Sequence, residues 1–383
     1  MDIHEYTEIA ISIFNGDGYV SGGFFHQNIF PSAFLQPVYT YLLALFIKIS
    51  LLPFAFLNIR LLQIFFNLCL CLMIYIIGQK VFNKSAALWA CFIFSVYIPF
   101  AYMTTFVWDT LLFSLQLAII VWLVLEFDNR RIFQSIWLGF LLGLATLTNS
   151  VILAFIPFLI GYLFSKFRET PQQTIKNLLI VFFCFVILVT PWSIRNSLVF
   201  RSFVPVRTGF WLNLYLGNNE AATGTVFLKN GSQVPLKYKD GLVRHFGPMM
   251  PILAKMNEAE QDQYFKEKFF IFVSSRPFDF SRLLLIKLFY YLWFNPFEKP
   301  MLFGELQYLI VSLLALGGFY AAIKRKKKIG LLVLVMIPFI VSYTLIGPFF
   351  NWKYRLPIEP YLIILAGYCI SQFKELKEIK QIA

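Results

Sequence analysis

The chain has 383 residues, of which 59% are hydrophobic and 19% aromatic, and phenylalanine alone occurs 46 times. Soluble domains hold nearer about 45–50% apolar residues, so this composition excludes an ordinary soluble fold and implies a polytopic membrane protein. The formal net charge of +13 fits loops rich in Lys and Arg on the cytoplasmic side of a membrane, and is not read as a nucleic-acid footprint.

The N-terminal stretch Met1-Asp2-Ile3-His4-Glu5-Tyr6 has neither the basic nor the apolar region of a cleavable signal peptide. Segment 34–52 is apolar but short, holds Lys48, and lies between Pro37 and Pro53. A crossing helix needs about 20 apolar residues. Nine segments are good candidates, several of them near the short end of the range for such helices: 59–79, 86–102, 110–126, 133–148, 150–165, 177–193, 306–323, 330–348 and 356–372. With nine spans starting outside, the basic loops all fall in the cytoplasm. These are Lys80/Lys84, Arg130/Arg131, Lys166/Arg168/Lys176, Lys324 to Lys328, and the tail from Lys374. Counting 34–52 as a tenth span sends the first three to the other side. Segments 34–52 and 283–297 are therefore expected to lie at the outer interface.

The expected organisation is a membrane region over 1–195, an outer loop domain over 196–282, and a C-terminal membrane region over 283–383. Within the outer loop, Asn230-Gly231 between two apolar stretches signals a hairpin, with Pro235 on an edge strand. Asn257 with Glu260 forms a capping-box pattern opening a helix to about Val273, ahead of Arg276-Pro277. The five cysteines lie in apolar runs without the spacing of a disulfide framework or a zinc site.

Asp109 is the sole charged residue between Lys84 and Glu126. A carboxylate near hydrocarbon is costly, which marks it as functional; as an alternative it caps the helix that follows. The same outer face collects the acidic N-terminal stretch (Asp2, His4, Glu5, Tyr6), the run from Pro191 through Arg195-Asn196 with Gly217-Asn218-Asn219, and the basic residues Lys48, Lys287, Lys353 and Arg355. Lys287 and Lys48 also read as snorkelling side chains, and Arg195 as an interfacial anchor. A carboxylate can act as a general base and a cation can stabilise a leaving phosphate, so the face suits chemistry on a lipid-linked phosphate. No Walker A sequence, dinucleotide fingerprint or Asp-x-Asp pair is present, and a soluble nucleotide donor is not expected.

Several motifs then carry a family resemblance. The opening Asp2-x-x-Glu5-Tyr6, Gly16-x-Gly18-Tyr19 and Pro37-x-Tyr39 resemble the first outer loop of GT-C glycosyltransferases. The nearest group is the protein-mannosyltransferase-like and aminoarabinose-transferase-like branch. Gly139–Leu147, the Pro191–Asn196 run with Gly217-Asn218-Asn219, and Tyr354 to Pro360 resemble later motifs of the family, over residues 1 to about 370. The resemblance implies an all-α, GT-C-like bundle with about nine transmembrane helices and a small mixed outer domain. It implies transfer of a sugar from a polyprenyl-phosphate carrier to a lipid, glycan or protein acceptor. Asp2, with Glu5 nearby, maps onto the candidate base and Asp109 onto a second catalytic carboxylate. Tyr6, Arg195, Asn196, Asn218, Asn219, Lys287 and Arg355 map onto substrate-binding positions. No metal ligand is assigned, although a divalent cation is a candidate cofactor. The expected location is the cell membrane with the active site outside; a polysaccharide polymerase or ligase and a lipid-linked sugar flippase are the alternatives. Two departures stand out: relatives place a transmembrane helix before the first acidic motif, and Asn149 stands where relatives often carry a basic residue.

Overall fold

A computed structural model describes residues 5–22, 29–50, 52–225, 246, 247, 249–293, 301–346 and 352–382, with backbone alone for 52, 53 and 373–382. Asp2 and the expected hairpin around Asn230-Gly231 lie outside the described residues.

The described chain is almost entirely helical. Helix α1 (Glu5–Asn15) leads into a short antiparallel pair, β1 (Val20–Ser21) with β2 (Phe30–Pro31). Helix α2 (Pro37–Ile49) starts with its proline in the first turn, where a missing N–H costs nothing. Helix α3 (Leu52–Val81) extends the expected span 59–79 at both ends. The expected span 86–102 is broken into α4 (Lys84–Ser95) and α5 (Ile98–Met103). Pro99 explains the break, because its ring clashes with the carbonyl one turn back and it has no N–H to give. Helices α6 (Thr110–Leu125) and α7 (Ile132–Thr146) match their expected spans closely. A 3₁₀ turn over Ser150–Ala154 precedes α8 (Ile156–Lys166), and the long α9 (Pro171–Phe200) contains the expected span 177–193.

The intervening segment holds α10 (Phe210–Gly217), the single turn α11 (Met250–Leu253) and α12 (Glu258–Ser275). Both halves of the capping box form: Asn257 accepts from the Glu260 amide at 3.0 Å, and Glu260 accepts from the Asn257 amide at 2.8 Å. Helix α13 (Pro277–Leu292) follows, then α14 (Leu302–Lys324), α15 (Gly330–Ile346), a 3₁₀ turn at Trp352–Tyr354 and α16 (Glu359–Ile382).

Among the described residues three helices, α3, α9 and α14, are long and apolar enough to cross a membrane unaided, and six shorter apolar helices accompany them. The apolar side of α9 faces outward from the protein: Leu179, Phe182, Phe183 and Leu198 are each more than 60% exposed. Water does not tolerate such a patch, whereas lipid tails do. Close helix approaches hold the bundle. A Cβ on Gly367 of α16 would come within 2.6 Å of Ala86 O and Ala90 N of α4, so only glycine allows that crossing. Gly139 plays the same part where α7 meets the backbone of α9 at Val181.

The helices run so that one end of the bundle gathers the basic loops. Lys80 pairs with Glu126 at 2.8 Å there, and Lys166 reaches the C-terminus of α6. The opposite end carries Asp109, the C-termini of α7, α9 and α15, and the turn at Trp352–Tyr354.

Candidate active site

Five segments meet at that opposite end: α1, the loop before α6, the turn after α7, the loop between α9 and α10, and the 3₁₀ turn at Trp352–Tyr354. A stack of aromatic rings joins three of them. Tyr6 of α1 is buried and stands edge-on to Tyr39, with ring centres 5.1 Å apart, and to Trp108 at 5.6 Å. The Lys353 ammonium lies 3.5 Å from the centre of the Trp108 ring, a short cation–π contact. Glu5 precedes Tyr6 and Asp109 follows Trp108, so this stack draws two carboxyls and one ammonium together from distant parts of the chain. Gln63 of α3 fixes the loop, its amide nitrogen donating to the Tyr39 hydroxyl at 2.6 Å and to the Trp108 carbonyl at 2.9 Å.

Asp109 is 2% exposed. Its side chain makes no capping hydrogen bond and its backbone is helical, φ −69° and ψ −16°, unlike the extended geometry of an N-cap. The capping explanation for this carboxylate is therefore wrong. Instead Oδ2 accepts from Asn149 Nδ2 at 3.0 Å, while Oδ1 is buried and has no hydrogen-bond partner. Burial pushes the Asp109 carboxyl up to about 6 against the opposing effects of the Asn149 hydrogen bond and of the Lys353 and Arg207 charges. Burial pushes Glu5 up further, to about 7, again against Arg207 and Lys353. The two carboxyls thus share the same two cations.

Beside Glu5 a small cavity of about 60 Å³ opens between α1 and the segment carrying α10 and α12. Four carboxylates line it, and three of them tie chain segments together. Glu8 accepts from the Gly22 amide, Asp262 from the amides of Trp211 and Leu212, and Glu258 from Ala33 N, Ser32 Oγ and Thr208 Oγ1. The fourth is Glu5.

The other sequence-named residues occupy distinct places. Arg195 donates to the carbonyls of Ser32 at 2.6 Å and Tyr19 at 3.0 Å and to Asn196 Oδ1, and lies over the Trp192 ring. Asn196 donates to the Val206 carbonyl. Arg195 thus locks the first loop onto α9, and Asn196 holds the segment that follows α9. Lys287 is wholly buried, so it does not snorkel; it donates to Asn218 Oδ1 at 2.7 Å and to the Leu345 carbonyl at 3.1 Å. Asn218 and Asn219 turn back onto carbonyls of α10. Arg355 sits between Glu305 at 2.5 Å and Glu359 at 3.5 Å, 3.8 Å over the Tyr308 ring. That buried ion cluster anchors the turn that carries Lys353.

Two cations of the site were not among the substrate-binding positions that the sequence implied. Lys353 was named there only among the basic residues of the outer face, just ahead of the Tyr354 to Pro360 motif. Arg207 gave no signal, because nothing in the segment after α9 singles it out from its other basic residues. Among the described residues no group of three His, Cys, Asp or Glu side chains is arranged to hold a metal.

Residues 33–194 match the sequence profile of the dolichyl-phosphate-mannose-protein mannosyltransferase family. No curated protein matches the chain. Among solved structures it is similar to the oligosaccharyltransferase AglB of Archaeoglobus fulgidus. The complex of that enzyme with an inhibitory peptide and a dolichol-phosphate aligns with TM-score 0.55 and 12% identity over 99% of this chain and 47% of that one. The apo form aligns with TM-score 0.58 and 14% identity over the same shares. The chain has the GT-C fold. It spans about half the length of the solved chains it matches. The GT-C resemblance of the sequence motifs is thus borne out at the level of fold, and the helical, multi-pass membrane architecture with it.

Proposed function

We propose that this GT-C protein is an inverting glycosyltransferase of the cell membrane, working on the outer face. It moves a sugar from a polyprenyl-phosphate carrier to a lipid, glycan or protein acceptor. The observation that carries this reading is the single aromatic stack of Tyr6, Trp108 and Lys353, which gathers Glu5, Asp109 and an ammonium at one end of the bundle. The match of residues 33–194 to a family named for a dolichyl-phosphate-mannose donor supports it.

In this mechanism a carboxylate of the first acidic motif, Asp2 or Glu5 beside it, takes the proton from the acceptor hydroxyl or amine. The acceptor atom attacks the anomeric carbon from the face opposite the phosphate. The bond from that carbon to the phosphate oxygen breaks, and the carrier phosphate leaves with the electron pair. Lys353 and Arg207 stabilise the charge that develops on it. Asp109 binds and orients the acceptor. Arg195, Asn196, Asn218, Asn219, Lys287 and Arg355 support the site by holding the loops and the 3₁₀ turn around it. The division into a membrane region, an outer domain over 196–282 and a C-terminal membrane region belongs to the same proposal.

The test uses the full chain in membranes with a labelled polyprenyl-phosphate sugar. Asp2→Asn, Glu5→Gln and Asp109→Asn are compared with wild type, and product size is read on the same gel. Undiminished transfer in all three variants would remove the carboxylates from the mechanism. Lys353→Met is expected to raise KM for the donor by about tenfold, the weight of one charge-assisted hydrogen bond. The fold likeness to an oligosaccharyltransferase favours a second reading, transfer of a preassembled glycan, which a product longer by several sugars would reveal.

A further inference from the structure

We infer that Asn149 is a positioning residue: it grips one oxygen of Asp109 and leaves the other as the acceptor for the substrate's hydroxyl or amine. The inference rests on the glycosyltransferase reading of the site and specifies which atom of Asp109 meets the substrate.

The geometry fixes which way the Asn149 amide points. Asn149 caps the 3₁₀ turn Ser150–Ala154, with extended backbone and its Oδ1 accepting from Val151 N at 3.2 Å. Its own amide donates to the Ala145 carbonyl at 2.7 Å, so the residue is held at both ends. With Oδ1 committed to the cap, Nδ2 is the group that faces Asp109, and it donates to Oδ2 at 3.0 Å. Flipping the amide would set two oxygens against each other and present the NH₂ to an N–H donor, breaking both contacts at once.

What remains is Asp109 Oδ1, buried without a partner in a residue only 2% exposed. A buried acceptor left open costs on the order of 1–3 kcal/mol, and such orphans call for an explanation. A donor on the substrate supplies one: it closes the network at the moment of binding. A neutral amide also suits this task better than a cation. It fixes the carboxylate without cancelling its charge, so the open oxygen stays a strong acceptor.

The experiment separates cap from grip. Asn149→Ser keeps an N-cap oxygen for Val151 but cannot reach Asp109, whereas Asn149→Ala loses both. Asn149→Asp keeps the cap and replaces the donor by a second carboxylate. Asn149→Ser is expected to melt as wild type does, to keep KM for the lipid-linked donor within about twofold, and to lose up to about 100-fold in kcat, the scale of a misplaced catalytic contact. Its pH–rate midpoint moves up, because the donation that favoured the ionised carboxyl is gone, and Asn149→Asp moves it further. The Asp109 carboxyl is followed in parallel by infrared titration of its protonated C=O band, assigned with Asp109→Asn. An unshifted band in Asn149→Ser overturns the inference, whatever the activity. A shifted band in a protein that transfers no sugar overturns the proposed function and leaves the grip on Asp109 standing.

Discussion

The two ends of α6 are built from the same kinds of polar group and come out differently. At the Leu125 end the side chains of Lys166, Asn129 and Asn177 all find protein partners. Lys166 donates to the carbonyls of Val124 at 3.0 Å, Leu125 at 3.2 Å and Phe127 at 2.9 Å, closing the C-terminus of the helix. Next to it Asn129 donates to Thr170 and Thr174, and Asn177 returns two bonds to Asn129 at 2.8 and 2.7 Å. At the Asp109 end one carboxylate oxygen has no partner, and two carboxyls are held at raised pKa around a shared pair of cations. A network that serves the fold closes on itself, because each unmet buried group costs stability. One that serves a substrate keeps a bond in reserve. Activity and stability should therefore separate along this single helix.

The largest effect is expected from Asp109→Asn. It is isosteric, keeps an acceptor for Asn149 and removes the charge, so sugar transfer should fall by about 100-fold or more. The melting temperature at pH 8 should hold or rise, since a buried carboxylate has been removed. Transfer lost together with a lower melting temperature would mean that this end too is built for the fold.

The pH dependence comes next. Ionised carboxylates are required, and burial holds Asp109 near 6 and Glu5 near 7. Transfer should climb between pH 5 and 8, and Glu5→Gln should remove the upper step where activity survives. The effect on stability has the opposite sign. The folded carboxyls keep protons that the unfolded chain, with ordinary values of 3.8 and 4.5, has already lost. Stability therefore falls as pH rises from about 4 toward 7 and then levels off. Melting curves of wild type and Asp109→Asn should converge at pH 4 and part at pH 8.

How much of this was legible in the sequence follows the range of each interaction. Asp109 declared itself because hydrocarbon makes any lone charge conspicuous. The Asn257–Glu260 cap and the stop before Pro277 are local, and both form as written. Pro99 was equally visible, yet a hydropathy window averages over it, and the 86–102 segment read as one span is two helices. Arg207 and Asn149 reach Asp109 only through the fold, and no periodicity marks them. Arg355 and Lys287 looked like site cations, but a cation deep in a bundle needs partners, and the chain supplies them in Glu305, Glu359, Asn218 and the Leu345 carbonyl.

At the closed end the expected effects are on stability alone. Asn177 is 2% exposed and spends its amide on Asn129. Asn177→Leu should cost about 1–3 kcal/mol, the penalty for leaving buried acceptors unmet, with transfer per folded molecule unchanged.

Lys166→Met gives the smallest effect and the cleanest one. The residue is exposed, so water can take over much of what it now gives the three carbonyls. Methionine keeps the length and apolar stem that lie against Phe167, whose ring centre is 5.2 Å from the ammonium. What is lost is the charge at the helix C-terminus and its hydrogen bonds, a loss of about 1 kcal/mol for a solvated group. Thermal melts in detergent should register that loss, and transfer rates normalised to folded protein should not. If transfer drops instead, the two ends of α6 are coupled through the helix, and closed networks in this bundle do more than hold it together.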